Sequence, residues 1–170
     1  YTHALTLDAD GQHPTDLIPA FMAASHAEPG VMVLGKPVFG PEAPALRVRG
    51  RQVSNGWANL ETLWQGIGDS LYGFRVYPVA PLMRIMQSQH WMRRFDFDPE
   101  AAVRMAWAGV PAYNIQAPVR YIDTAQGGVS HFQYLRDNIL LTWMHLRLLA
   151  GFIWRLPLLI YRKLRPVQDT

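Results

Sequence analysis

The sequence predicts an α/β fold: short apolar strands alternating with helices in an open sheet, followed by a long amphipathic helical tail. Three observations carry that expectation. Runs rich in β-branched, aliphatic or aromatic residues at 4–7, 31–35 and 74–77 are separated by stretches with helical apolar spacing. The first run leads straight into Leu7-Asp8-Ala9-Asp10-Gly11, and the carboxyl end of a strand is where open α/β sheets place ligands. From Phe132 onward the character changes to long apolar runs broken by Arg. Residues 1–131 therefore read as part of an α/β domain, and residues 132–170 as a separate helical segment. The chain opens inside a strand pattern, so a fragment of a larger domain is expected.

Each element has its own signal. Residues 4–7 form a short, mostly buried strand. If it stayed extended through Asp8 and Asp10, both carboxylates would share one face. Two carboxylates held together repel unless a cation or proton lies between them. With the amide oxygen of Gln12 they form a hard oxygen set suited to Mg²⁺ or Mn²⁺ completed by substrate phosphates. The bland reading is a solvated Asp-Gly turn capped by Asp10. Pro14-Thr15-Asp16 starts a helix ending between His26 and Gly30, and a second strand follows at 31–35. Residues 36–44, with three Pro and one Gly, read as loop.

Arg47, Arg49 and Arg51 put three guanidiniums in five residues. Extended, they share a side; helical, they spread over an arc. They are either an anion-attracting patch or a solvated helix start. Residues 53–63 continue as a helix with Trp57, Leu60, Leu63 and Trp64 on a core-like spacing. Three glycines within residues 66–73 break it before a strand at 74–77. A third helix follows at 82–89, with Leu82, Ile85 and Met86 inward. Asp96, Asp98 and Glu100 precede a helix at 101–108 that Gly109 ends, where capping alone accounts for acids. Residues 112–121 read as an edge strand, because Pro118 cannot donate to a ladder. Gly127-Gly128-Val129-Ser130-His131 is a turn.

Within residues 132–164, Arg136, Arg147 and Arg155 fall within about 100° of one another on a helical wheel. Trp143, Trp154 and Tyr161 are amphipathic anchors, and Arg162-Lys163-Leu164-Arg165 ends the segment. No window offers roughly 18 uncharged apolar residues. Apolar on one side and Arg-bearing on the other, the segment suits a membrane interface, with anionic lipid favoured at its basic end. A helix packed on its own domain, or half of a dimer contact, explains the same pattern.

Composition narrows the classes. The 170 residues are 49% apolar with six Trp, enough for a real core. The net charge is only +3, but it comes from fourteen Arg and two Lys. With no Cys, disulfides, thiolate metal sites and Cys nucleophiles are excluded. The basic residues are not gathered into a stripe with exposed aromatics, which argues against nucleic acid as a partner.

The order of these pieces resembles the family 2 glycosyltransferases of GT-A fold, particularly the polyprenyl-phosphate type that includes dolichyl-phosphate mannose synthase. Asp8-Ala9-Asp10-Gly11-Gln12-His13 is similar to that group's Asp-x-Asp motif. Gly68-Asp69-Ser70 through Gly73-Phe74-Arg75, then Phe97-Asp98-Pro99-Glu100, then Pro118-Val119-Arg120-Tyr121 before Gly128-Val129-Ser130 follow in family order. The resemblance covers about residues 1–131 and makes them the carboxy-terminal portion of a GT-A, Rossmann-like catalytic domain. The family's amino-terminal strands, with their Pro-x-Tyr-Asn-Glu-like segment, have no counterpart in this sequence. Asp98-Pro99-Glu100 departs from the Glu-Asp of hydroxyl-accepting enzymes, with Glu100 the better positional match.

The resemblance implies metal-dependent inverting transfer from a nucleotide-diphosphate sugar to a lipid-phosphate or hydroxyl acceptor, at the cytoplasmic face of the membrane. It places Mg²⁺ or Mn²⁺ at Asp8, Asp10 and Gln12. For a hydroxyl acceptor the general base is Glu100 first and Asp69 second. For a lipid phosphate the orienting groups are Arg75, Arg120 and Ser130, with Arg47 or Arg51. Two rivals remain. Haloacid-dehalogenase-type phosphatases also begin with a strand ending in Asp-x-Asp-Gly, but need a downstream Lys, and only Lys36 and Lys163 exist. A non-catalytic GT-A remnant could bind membrane or a partner through residues 132–170.

Overall fold

The computed structural model describes residues 1–41, 43, 45–92, 94–119 and 133–164. The fold is α/β, with a mixed four-stranded sheet among the described residues and a long carboxy-terminal helix. In chain order the elements are β1 (His3–Thr6), a 3₁₀ turn (Thr15–Leu17), α1 (Ile18–Ala27), β2 (Met32–Val38) and α2 (Ala45–Glu61). Then come β3 (Arg75–Pro78), α3 (Val79–Ser88), α4 (Phe97–Trp107), β4 (Ala112–Pro118) and α5 (Tyr134–Leu164). The strands lie in the order β1-β3-β2-β4, β3 running antiparallel to both neighbours and β4 parallel to β2.

Period-2 alternation splits the core over the two faces of the sheet. Val33, Val76 and Ala117 face α1, where Phe21 stacks on Phe74 with ring centroids 4.0 Å apart. Met32, Leu34 and Tyr77 face the other helices, in one cluster with Ala58, Leu82, Ile85, α4 and the inner side of α5. From α5, Met144, Leu148 and Leu159 are fully buried. Each such side chain contributes about 1.5–3 kcal/mol of apolar burial.

Several boundaries differ from the expectations. β1 ends at Thr6, and residues 9–10 turn, so Asp8 and Asp10 do not share a strand face. The Arg47–Arg51 stretch is helical within α2, so its three Arg positions do not share one strand face. α2 closes at Glu61, and Leu63 and Trp64 take left-handed backbone angles (φ 52° and 57°). Trp57 and Trp64 face outward, as does Met86. α4 begins four residues early, placing Asp98 and Glu100 inside its first turn. β4 is an edge strand as expected, ending at Pro118.

α5 is 31 residues long. By length and composition its Leu135–Leu164 stretch is long and apolar enough to cross a membrane, contrary to the expectation from uncharged runs alone. Here it packs along the domain. Arg147 pairs with Glu100, Arg162 donates to the Trp107 carbonyl at 2.7 Å, and Lys163 donates to the Leu63 carbonyl at 2.8 Å. Its other face carries Leu135, Ile139, Trp143, Leu146, Ile153 and Leu158, all exposed.

Candidate active site

The register between β1 and β3 assembles the site. Thr6 pairs with Arg75, and its hydroxyl donates to the Gly73 carbonyl at 3.0 Å. That brings the turn after β1 against the loop before β3. Gly73 is glycine because Asp8 lies on it: a β-carbon there would sit 2.9 Å from both carboxylate oxygens. Gly11 closes the turn with φ 75°, an angle glycine adopts without strain. Asp10 accepts the Gln12 N–H at 3.0 Å, so the Asp-Gly turn capped by Asp10 is present as well.

His13, within the same motif, was assigned no role from sequence. It is buried, and its ring tilts against Tyr72 and stacks on Phe74. Its Nδ1 accepts the Asp8 N–H at 3.1 Å, which leaves the ring proton on Nε2, 3.5 Å from the Asp8 carboxylate. Burial lowers the His13 pKa, against the pull of Asp8, Asp10 and Asp98. The Asp8 pKa is raised, first by loss of solvent around the carboxyl; His13 opposes this, while Asp98 and Asp10 add to it. Asp98 and Asp10 each push the Asp8 pKa the same way as burial does. Repulsion of this kind is relieved by a cation.

Arg75 is fully buried between these groups. Its Nε donates to the Tyr72 carbonyl, Nη1 to the Tyr77 hydroxyl and the Asp98 carbonyl, and Nη2 to the carbonyls of Asp69 and Ser70. Five donors meet five acceptors, and the Asp98 carboxylate lies 3.6 Å from Nε. Arg75 therefore ties β3, the 69–72 loop and the start of α4 together. The expectation that it orients an acceptor is corrected: it has no donor left for one.

Asp69 is 2% exposed and equally committed. It accepts from Arg51 at 2.6 Å, from the Leu71 N–H at 2.9 Å and from the Asn55 amide at 2.9 Å. Arg51 is correspondingly taken up by Asp69. Asn114, on β4, fixes the preceding loop by accepting the Gly68 N–H and donating to the Gly66 carbonyl.

Glu100 is not gathered into this site. Two residues beyond Asp98 on the same helical turn, it points to the α4–α5 seam, fully buried, where Arg104 donates at 2.8 Å and Arg147 at 3.0 Å. Burial, with Arg147 and Arg155 nearby, lowers the Arg104 pKa, while Glu100 opposes the shift. A carboxylate held by two guanidiniums is a joint between helices, and this corrects the expectation of a base at Glu100. The first turn of α4 instead delivers Asp98, whose side chain is 24% exposed. The sequence signal for it was present in the Asp-Pro-Glu triplet, but helical phase decides which acid faces the strand end.

Arg120 and Ser130 lie outside the described residues, as does the side chain of Arg47. Among the described residues no three His, Cys, Asp or Glu side chains form a ready metal cage. Asp8 and Asp10 supply the one or two carboxylates that a Mg²⁺-type ion takes alongside substrate phosphates, and Gln12 follows on the same turn, so the donor set fits. In comparisons with family models, curated proteins and solved structures, nothing matches this chain.

Proposed function

We propose that this chain carries the metal–diphosphate part of an inverting glycosyltransferase site, transferring a sugar from a nucleotide-diphosphate donor to a lipid-linked or membrane-associated acceptor. The observation that supports it best is the seating of Asp8 on Gly73, beside a buried Arg75 that also holds Asp98. Asp8, Asp10 and Gln12 would hold Mg²⁺ or Mn²⁺, which when bound neutralises the departing diphosphate. The chain's own groups do the rest. Arg75 and the Asp69–Ser70 loop hold Asp98 toward the acids. With a hydroxyl acceptor, the acceptor oxygen displaces the diphosphate from the anomeric carbon and its proton passes to the Asp98 carboxylate. With a lipid phosphate the nucleophile is already anionic and Asp98 has no proton to take.

The exposed apolar face of α5 supports a peripheral membrane location, with Ile139, Trp143 and Leu146 in contact with lipid and the Arg-bearing side on the domain. The test uses the full chain with Mn²⁺, a panel of nucleotide sugars and polyprenyl-phosphate vesicles. Metal-dependent transfer lost in Asp10→Ala supports the reading; unchanged activity in that variant overturns the metal assignment. A triple change, Ile139→Ser, Trp143→Ser and Leu146→Ser, is expected to abolish vesicle co-sedimentation while leaving the fold intact. Vesicle binding without any transfer would favour a non-catalytic membrane module.

A further inference from the structure

Away from the acid cluster, α2 and α5 bury a carboxylate, an imidazole and a hydroxyl in sequence. His145 Nδ1 lies 3.0 and 3.2 Å from the two Glu61 oxygens, and its Nε2 lies 3.1 Å from the Ser54 hydroxyl. The Ser54 hydroxyl lies 3.4 Å from that of Ser70. Ser70 belongs to the loop that builds the site. Its N–H and hydroxyl both donate to the side-chain amide oxygen of Asn55, at 2.7 and 2.8 Å, and its own carbonyl accepts from Arg75 at 2.7 Å.

The arrangement looks like a hydrolase triad, but the chemistry does not follow. Ser54 sits inside α2, where neighbouring N–H groups belong to the helical ladder, so no pair of donors is open to receive an oxyanion. What remains is a hydrogen-bonded chain from the outer helix to the site loop.

We propose that His145 is a positioning residue, acting through Ser54 and Ser70 to hold the 68–74 loop that leads into Arg75 and receives Asp8. The direction of each bond follows from proton counting. Glu61 requires a proton on Nδ1 of His145. Ser70 gives its only hydroxyl proton to Asn55, so between the two serines Ser54 is the donor. Ser54 also has one proton. All three contacts are met when both ring nitrogens donate, Nδ1 to Glu61 and Nε2 to Ser54, and Ser54 donates to Ser70. Through this chain of bonds α5 grips the loop. Glu61 on α2 is the charged partner of His145, and Glu100 on α4 acts on Glu61 in turn. The effect on turnover rests on the glycosyltransferase reading; the effect on the loop does not.

The test compares Ser54→Thr with Ser54→Val, which have nearly the same shape and differ in the hydroxyl. In the full chain, Ser54→Val is expected to speed amide exchange over residues 68–75 by about fivefold to tenfold, as the loss of one buried hydrogen bond predicts. Ser54→Thr stays near wild type. His145→Ala loosens the same segment, and adding Ser54→Val to it brings no further increase. In the transfer assay, kcat falls several-fold in Ser54→Val and is restored in Ser54→Thr, while donor KM holds. Equal exchange in the Thr and Val variants overturns the proposal, since a packing role would move both alike. A Thr/Val difference in exchange, with no transfer from wild type on any donor, supports the His145 relay and overturns the glycosyltransferase reading.

Discussion

Gly73 and Asp8 are in contact across the first pairing of the sheet, so closely that a methyl group on Gly73 would lie 2.9 Å from both carboxylate oxygens. The two residues are 65 positions apart, and the antiparallel register of β1 on β3 is what joins them. Asp8 is the end of the clash that can move. Gly73→Ala is therefore expected to push the carboxylate outward, costing under about 1 kcal/mol of stability while metal-dependent turnover falls at least about tenfold. Mn²⁺ titration beside a denaturation curve checks this. A large loss of stability with unchanged metal affinity would contradict it.

The two acids of the first α4 turn are expected to separate by phenotype. Glu100→Gln strands Arg104 and Arg147 in the α4–α5 seam, and breaking one side of a buried ion pair costs about 3–5 kcal/mol. Asp98→Asn removes a partly solvated charge and is expected to cost under about 1 kcal/mol. Its transfer rate to a hydroxyl acceptor should fall about 10²–10⁴-fold, and to a lipid phosphate far less. Urea denaturation and rate measurements on the two variants distinguish these outcomes.

Tyr72 carries a buried hydroxyl with no hydrogen-bond partner among the described residues. Burial pushes its pKa up to about 12. Its ring packs on His13 at 4.5 Å and covers Gly35, and Phe keeps both contacts. Tyr72→Phe should stabilise the protein by about 1 kcal/mol, read as a higher denaturation midpoint. A lower midpoint would mean that the hydroxyl is satisfied.

Glu61 is the group to follow for pH. Burial raises its pKa; the His145 hydrogen bond and charge pull it down, and Glu100 adds to the rise. The folded state thus binds this proton more tightly than the unfolded chain does. The contribution is complete below the ordinary carboxyl value of 4.5 and is lost as pH rises through the raised one. Glu61→Gln should make stability fall less steeply with pH across that window than in wild type. Parallel slopes for the two proteins would rule out Glu61 as the source.

The strands, the acidic turn and the α5 stripe were legible because each is a local pattern. β-branched and aromatic runs mark the strands, Asp-x-Asp-Gly marks a turn, and apolar residues three and four apart mark a helix face. What the faces meet was not legible. Arg75 read as a phosphate ligand because guanidiniums bind phosphate, and the fold surrounds it with five protein acceptors instead. Glu100 read as the candidate base by its position after Asp98-Pro99, and helical phase turns it to the α5 seam instead.

By itself, then, the sequence determined the α/β class, the edge placement of β4, and the pairing of acids with a glycine turn after β1. These depend on the conformational preferences of short stretches. Only the tertiary structure decided that Asp98 faces the acids while Glu100 locks α5, that Gly73 makes room for Asp8, and that His145 reaches the Ser70 loop through Ser54. Those relationships cross 23 to 91 positions of chain and depend on strand register and helix phase, which no local pattern specifies.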